Sequence, residues 1–192
     1  MLPSYFVIIG VILNAIAVTG YIIDTLKGKI QPNRVTFFCW SLAPFLAFAA
    51  QRYQGVGIQS LLTFSIGFFP VLILIATFFN KKSIWKLTFF DFFCGFLSIL
   101  GLTLWMVTKV GNIAILFAII ADFFGAVPTM VKAYKHPESE LAWAWGLPVI
   151  NGVLTLLTIK TWTFQYYAFP AYFTMSQGII YFFAQFKIGK KS

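Results

Sequence analysis

Residues 125–147 read GAVPTMVKAYKHPESELAWAWGL, and residues 20–42 read GYIIDTLKGKIQPNRVTFFCWSL. Laid over one another, the two stretches agree in order at Gly20 and Gly125, Lys27 and Lys132, Pro32 and Pro137, Trp40 and Trp145, and Leu42 and Leu147. The offset is 105 residues throughout. It continues to Phe64 on Phe169, Phe68 on Phe173, Phe78 on Phe183 and Lys82 on Lys187. The phenylalanine matches weigh little in a chain with 24 of them, whereas the ordered Gly, Lys, Pro, Trp, Leu series is hard to obtain by chance. Two related halves are therefore expected.

The composition says what kind of halves they are. Hydrophobic residues make up 60% of the 192 and charged residues 10%, where about 25% charged is usual for soluble domains. The mean hydropathy is +0.87. A soluble enzyme, a disordered chain and a nucleic-acid-binding domain are excluded. Charge-poor runs mark seven spans, at 4–23, 36–52, 56–79, 87–107, 110–131, 141–159 and 163–186. A spanning helix needs about 20 apolar residues, so seven of them leave only short loops and tails. Pro44, Pro70, Pro128, Pro148 and Pro170 fall inside spans. A bundle in lipid tolerates such prolines as kinks, because neighbouring groups re-satisfy the freed backbone.

The net charge of +9 reads as topology. Lys27, Lys29, Arg34, Lys81, Lys82, Lys86, Lys132, Lys135, Lys187, Lys190 and Lys191 lie on one side, against Arg52, Lys109 and Lys160 on the other. The positive-inside rule then puts the N-terminus outside and the C-terminus in the cytoplasm. The compact chain and short tails point to a bacterial cytoplasmic membrane. Span 1 lacks a basic n-region and a clear small-residue cleavage site, so it reads as retained. Cys39 and Cys94 lie inside apolar runs and read as packing thiols.

The 105-residue offset lays span 1 on span 5, span 2 on 6 and span 3 on 7, and leaves span 4 over. The expected fold is an all-α integral membrane protein of seven transmembrane helices: two parallel three-helix bundles joined by a linker helix, 3+1+3. The first repeat covers 1–82, the linker helix 83–108 and the second repeat 109–192. Transporters built on such repeats hold their solute near the midplane, between the repeats.

Polar residues inside the spans are few. Asp122 lies about 12 residues into span 5, where an ionised carboxylate costs about 2.5–3.5 kcal/mol. No cation lies at similar depth, so it must face the bundle interior or a wet cavity, or stay protonated. A carboxyl that takes up and releases a proton is what proton coupling needs. Asn14, Asn151, Ser176, Gln177 and Ser65 fall at matching depth. Each alone reads as interhelical glue, averaging about 0.6 kcal/mol in one measured system. Together they form the constellation a carrier of polar solutes requires. Trp40, Trp143 and Trp145 sit near the span ends, where the default role is interfacial anchoring. Trp40 and Trp145 are the symmetric pair, and their flat faces would suit a sugar ring if they turned inward. Pro44, Pro128 and Pro148 are hinge candidates. Glu138 and Glu140 open span 6, suited to capping and to pairing with Lys132 or Lys135. Asp24 reads as solvated or paired with Lys27, and Asp91 as interfacial, near Lys86.

The run Pro128-Thr129-Met130-Val131-Lys132-Ala133-Tyr134-Lys135-His136-Pro137-Glu138-Ser139-Glu140-Leu141 resembles the PQ-loop motif: a proline–glutamine pair at a helix end, a lysine, an aromatic and basic turn, then small polar and acidic residues opening the next helix. Thr129 stands where the motif has glutamine, and Ile23 stands at the proline position of the first copy. With the 3+1+3 layout, the chain resembles a SWEET-type member of the PQ-loop transporter superfamily over nearly its full length. That resemblance implies alternating access, and a superfamily whose members include sugar uniporters, proton-coupled cystine and cationic amino acid exporters, and a non-transporting retrieval receptor.

No enzymatic signature accompanies these features. His136 is the only histidine and no cysteine cluster exists, so no zinc site is expected. No Gly-rich phosphate loop or serine nucleophile elbow occurs, and span 7 has no interior lysine for a retinal Schiff base. The expectation is a carrier of a small polar solute, without cofactor, metal or nucleic-acid partner. It would be a monomer or homo-oligomer in the bilayer, with Asn14, Asp122, Asn151, Ser176, Gln177, Trp40 and Trp145 at the site. A sugar uniporter leads. The alternatives are a proton-coupled amino acid or cystine-type carrier using Asp122, and a receptor or assembly partner on the same scaffold.

Overall fold

The computed structural model describes residues 2–108 and 111–189. Lys109, Lys190 and Lys191, used above for orientation, and the expected start of span 5 at residue 110 lie outside them. The described residues form seven α-helices and no strand: α1 (Phe6–Leu26), α2 (Arg34–Tyr53), α3 (Ser60–Ala76), α4 (Phe89–Thr108), α5 (Gly111–Lys135), α6 (Ala142–Leu157) and α7 (Phe164–Phe186). Each sits on an expected span, in order. α3 and α6 are shorter than their apolar runs, at 17 and 16 residues. Two stretches, Phe6–Leu26 and Ile115–Lys135, are long and apolar enough to cross a membrane by length and composition. Pro44, Pro70, Pro128, Pro148 and Pro170 each remain inside one helix.

Helix boundaries follow local chemistry. α1 ends at a turn where Gly28 takes a φ of 73°, a conformation that costs glycine nothing. Pro32 then leads into Asn33, whose Oδ1 accepts from the backbone N–H of Val35 at 3.0 Å and Thr36 at 3.3 Å, capping α2. The same Asn33 donates from Nδ2 to Asp91 at 2.6 Å, and Asp91 accepts from the backbone N–H and hydroxyl of Thr88 at the start of α4. Asp91 is thus buried and structural, tying α4 to the cap of α2 and not to Lys86.

α3 packs on both α1 and α2, and α7 packs on both α5 and α6. Between the halves, α1 lies on α6 and α2 lies on α5, which are equivalent pairs under the offset. α4 packs on α5 and touches α2. The repeat-matched glycines serve these two seams. A Cβ at Gly20 would stand 2.4 Å from the Trp143 ring of α6, and one at Gly125 would stand 2.8 Å from Cys39 Cβ of α2. The seams close because neither position carries a side chain.

The chain turns its apolar residues outward. Ile9, Ile12 and Ile16 on α1, Phe64 and Phe68 on α3, Phe92 and Phe96 on α4, and Phe182 and Phe186 on α7 are exposed. Asn14, Ser41, Gln51, Thr63, Ser65, Asp122, Asn151, Ser176 and Gln177 are buried. The loops after α1, α3 and α5 meet at one end, where Asn80 Nδ2 donates to Leu26 O at 2.7 Å and Gln31 N–H donates to Ser139 O at 3.3 Å. Lys27, Lys29, Lys81 and Lys82 belong to this basic end. At the other end, Leu2 N–H donates to Leu157 O at 3.0 Å.

Two stability outcomes follow. Gly125→Ala forces a methyl into the α2–α5 seam and lowers stability by about 1–3 kcal/mol in thermal unfolding. Asn33→Ala removes a cap and a partner of buried Asp91, and costs about 2–4 kcal/mol in the same measurement.

Candidate functional site

A narrow cavity lies between α1, α2, α3, α6 and α7, with room for water of about 50 Å³. That is about three to five molecules at roughly 10–15 Å³ each. Its walls are aromatic: Tyr21, Phe37, Trp40, Phe69, Trp145 and Phe173. Asn14 of α1, Ser65 of α3 and Gln177 of α7 are the other polar residues on it. Ser65 spends its hydroxyl proton on Leu62 O at 2.7 Å. Among the described residues, neither the Asn14 nor the Gln177 amide has a hydrogen-bond partner. Both groups line the cavity with their donors and acceptors free among those residues.

Trp40 and Trp145 are buried and not interfacial anchors, which corrects the default expectation. The helical halves bring the matched pair together, ring centroids 5.9 Å apart at 66°. Their indole N–H groups go different ways. Trp40 donates to the backbone carbonyl of Asp122 at 3.2 Å, and Trp145 donates to Glu140 Oε2 at 3.0 Å. Trp143 is half-exposed, over Gly20.

Asp122 is buried but does not line the cavity. α5 supplies none of the described lining residues, because its small-residue face at Ala118, Ala121 and Gly125 is pressed onto α2. The Asp122 carboxylate turns to α7 and accepts from Tyr172 Oη at 2.7 Å, while Oδ1 is buried without a hydrogen bond among the described residues. Asn151 and Ser176 are likewise buried off the cavity. Asn151 presses against Gly10 of α1, where a Cβ would stand 2.2 Å from Asn151 Oδ1, and neither of its amide atoms is hydrogen-bonded among the described residues. Of the residues expected at the site, Asn14, Gln177, Trp40 and Trp145 converge, whereas Asp122, Asn151 and Ser176 do not. Pro148 lines the cavity, and Pro44 and Pro128 are buried elsewhere. Thr129, at the motif's glutamine position, donates to Thr36 Oγ1 at 2.9 Å across the α2–α5 seam.

The charges beside the cavity are more tightly organised than the sequence suggests. Lys132, expected as a pairing partner for Glu138 or Glu140, has a side chain 1% exposed. Its ammonium meets Glu140 Oε1 at 2.6 Å and donates to the Gln31 carbonyl. Glu140 Oε2 accepts from Tyr21 Oη at 2.8 Å as well as from Trp145. Glu138, by contrast, is exposed beside His136, and Asp24 pairs with Lys29 at 3.6 Å and not with Lys27. Tyr21 and Tyr172 escape a reading of the sequence, since nothing in their neighbourhoods marks them. Lys132 left a trace: three- and four-residue helical steps from Gly125 through Thr129 place it on α5's buried face.

Comparison with protein-family models, with curated proteins and with solved structures finds no match for the chain.

Cutting the Lys132–Glu140 pair from one side leaves an uncompensated buried charge. Glu140→Ala therefore lowers stability by about 3–5 kcal/mol in thermal unfolding. Glu138→Ala, two residues away on the surface, changes it by at most about 0.5 kcal/mol.

Proposed function

We propose that the chain spans a membrane and carries a small, neutral polar solute by alternating access, most simply a sugar moving by uniport, on a PQ-loop scaffold of the SWEET type. The observation that carries this reading is the cavity itself. It lies between two halves with matching helix contacts, its walls are aromatic, and the free amides of Asn14 and Gln177 project from opposite halves. Amides replace water around hydroxyl groups, and aromatic faces stack on the apolar faces of a sugar ring. No side chain of formal charge lines this cavity among the described residues, and the nearby Glu140 is already committed to Lys132, Tyr21 and Trp145. A zwitterion would find no counter-charge there, which favours a sugar over an amino acid.

Membrane residence is supported by the distribution of side chains. A soluble monomer rarely exposes a continuous apolar surface of this extent, and lipid is the environment that removes its cost. Buried amides and a buried acid inside an apolar shell fit the same setting, because intramembrane polar groups face the bundle interior. The meeting of the lysine-rich loops at one end supports an orientation with that end in the cytoplasm and the N-terminus outside.

Thermal unfolding of the purified protein with concentrated sugar or amino acid pools, at acidic and neutral pH, tests the reading. A sugar at 100 times its Kd stabilises by about 2.7 kcal/mol. The shift is expected with sugars, at both pH values, and is lost in Asn14→Leu and in Gln177→Leu. Asp122→Asn retains it, because Asp122 lies behind Trp40. A shift with amino acids that grows at acidic pH and vanishes in Asp122→Asn would replace uniport by proton coupling. Full biological function in the two leucine variants would point instead to a receptor or assembly role.

A further inference from the structure

The Lys132–Glu140 pair is an expensive way to hold helices together. Withdrawing two charges from water costs several kcal/mol per ion, and well-packed apolar residues commonly serve as well or better. Its position gives it another use. The pair stands at the basic end of the cavity, and its carboxylate holds two cavity walls, Tyr21 of α1 and Trp145 of α6, by the bonds described above. Those rings pack edge to face, centroids 5.6 Å apart. The ammonium holds the α1–α2 loop at Gln31 O and lies 5.1 Å from the Trp85 ring centroid, in the segment before α4. One ion pair thus ties both halves of the molecule beside two walls of the cavity.

We propose that Lys132–Glu140 is the latch of the basic end: while it is closed, Tyr21 and Trp145 seal the cavity, and the end opens when the pair separates and both ions take up water. Rehydration returns part of the desolvation cost, so the open state remains a populated minority of the closed one, as a two-state gate needs. The latch is built into one seam only. The repeat equivalents of Lys132 and Glu140 are Lys27, which is exposed, and Val35. The α2–α5 seam is held instead by the Gly125–Cys39 approach and the Thr129–Thr36 bond, with no charge to separate. The α1–α6 seam is therefore the one that parts. Glu140 and Lys132 act as positioning residues for the solute site, and their gating role rests on the carrier reading.

The test needs no solute. Ala144 lines the cavity beside Trp145 and is buried. In a full-length chain with Cys39→Ala and Cys94→Ala, the variant Ala144→Cys reports opening through its rate of maleimide labelling, which follows the open population. Adding Lys132→Met with Glu140→Gln removes both charges together and strands neither. Labelling is expected to rise about tenfold, with unchanged helical content and unfolding still cooperative. A folded double variant that labels at the parent rate overturns the latch. Should the double variant not fold, Tyr21→Phe decides: loss of one hydroxyl from the carboxylate raises the rate several-fold, and an unchanged rate overturns the proposal. Sugar binding with unchanged labelling removes the latch alone. Faster labelling with no sugar-dependent stabilisation leaves the gate and removes the sugar assignment.

Discussion

A carboxylate shut away from water must be satisfied by the fold around it, and Glu140 is satisfied by groups from three separate helices. Lys132 comes from the end of α5, Tyr21 from α1 and Trp145 from α6. Those demands can be met only when α1 lies on α6 and the α1–α2 loop lies over α5. The packing of the two halves and the orientation of the cavity's aromatic walls depend on them. The same low-dielectric surroundings that strengthen each of these bonds make any one of them costly to lose.

The two halves matched in sequence are used unequally. Gly20 and Gly125 do the same work at the two seams, and Trp40 and Trp145 meet where the halves join. The polar residues, however, are not duplicated. Asn14 has Ile119 as its counterpart, Asn151 has Leu46, and Gln177 has Leu72. Asp122 matches Ala17, so one seam carries a small residue on the cavity wall where the other carries an acid turned away from it. The result is a cavity drawn toward α1, α3, α6 and α7, with α5 sealed against α2. Symmetry supplies the scaffold, and departures from symmetry supply the chemistry.

Much of the fold was legible in the residues. Charge-poor runs located all seven helices, and under the 105-residue offset the α1–α6 and α2–α5 contacts correspond. The candidate site was legible only in part. Depth along a span can be counted, so Asn14 and Gln177 could be placed at one level with Asp122, Asn151 and Ser176. The direction each side chain faces around its helix could not be read in the same way. In a chain apolar on nearly every side, hydrophobic periodicity no longer separates a buried face from an exposed one. Asp122 and Asn151 therefore counted as cavity residues until the helix contacts turned them into the α5–α7 and α1–α6 packing.

The sequence by itself determined the all-helical class, the number of helices, the repeat and the gathering of lysines in alternate loops. These depend on composition and spacing along one chain. Tertiary structure alone decided that Lys132 is buried, that Tyr21 and Trp145 share Glu140, that Asp122 belongs with Tyr172, and that the amides on the cavity wall are those of Asn14 and Gln177. Tyr21 meets Glu140 across 119 positions and Asp122 meets Tyr172 across 50, and even the near neighbours Trp145 and Glu140 meet only by direction and distance in space. A linear pattern carries neither.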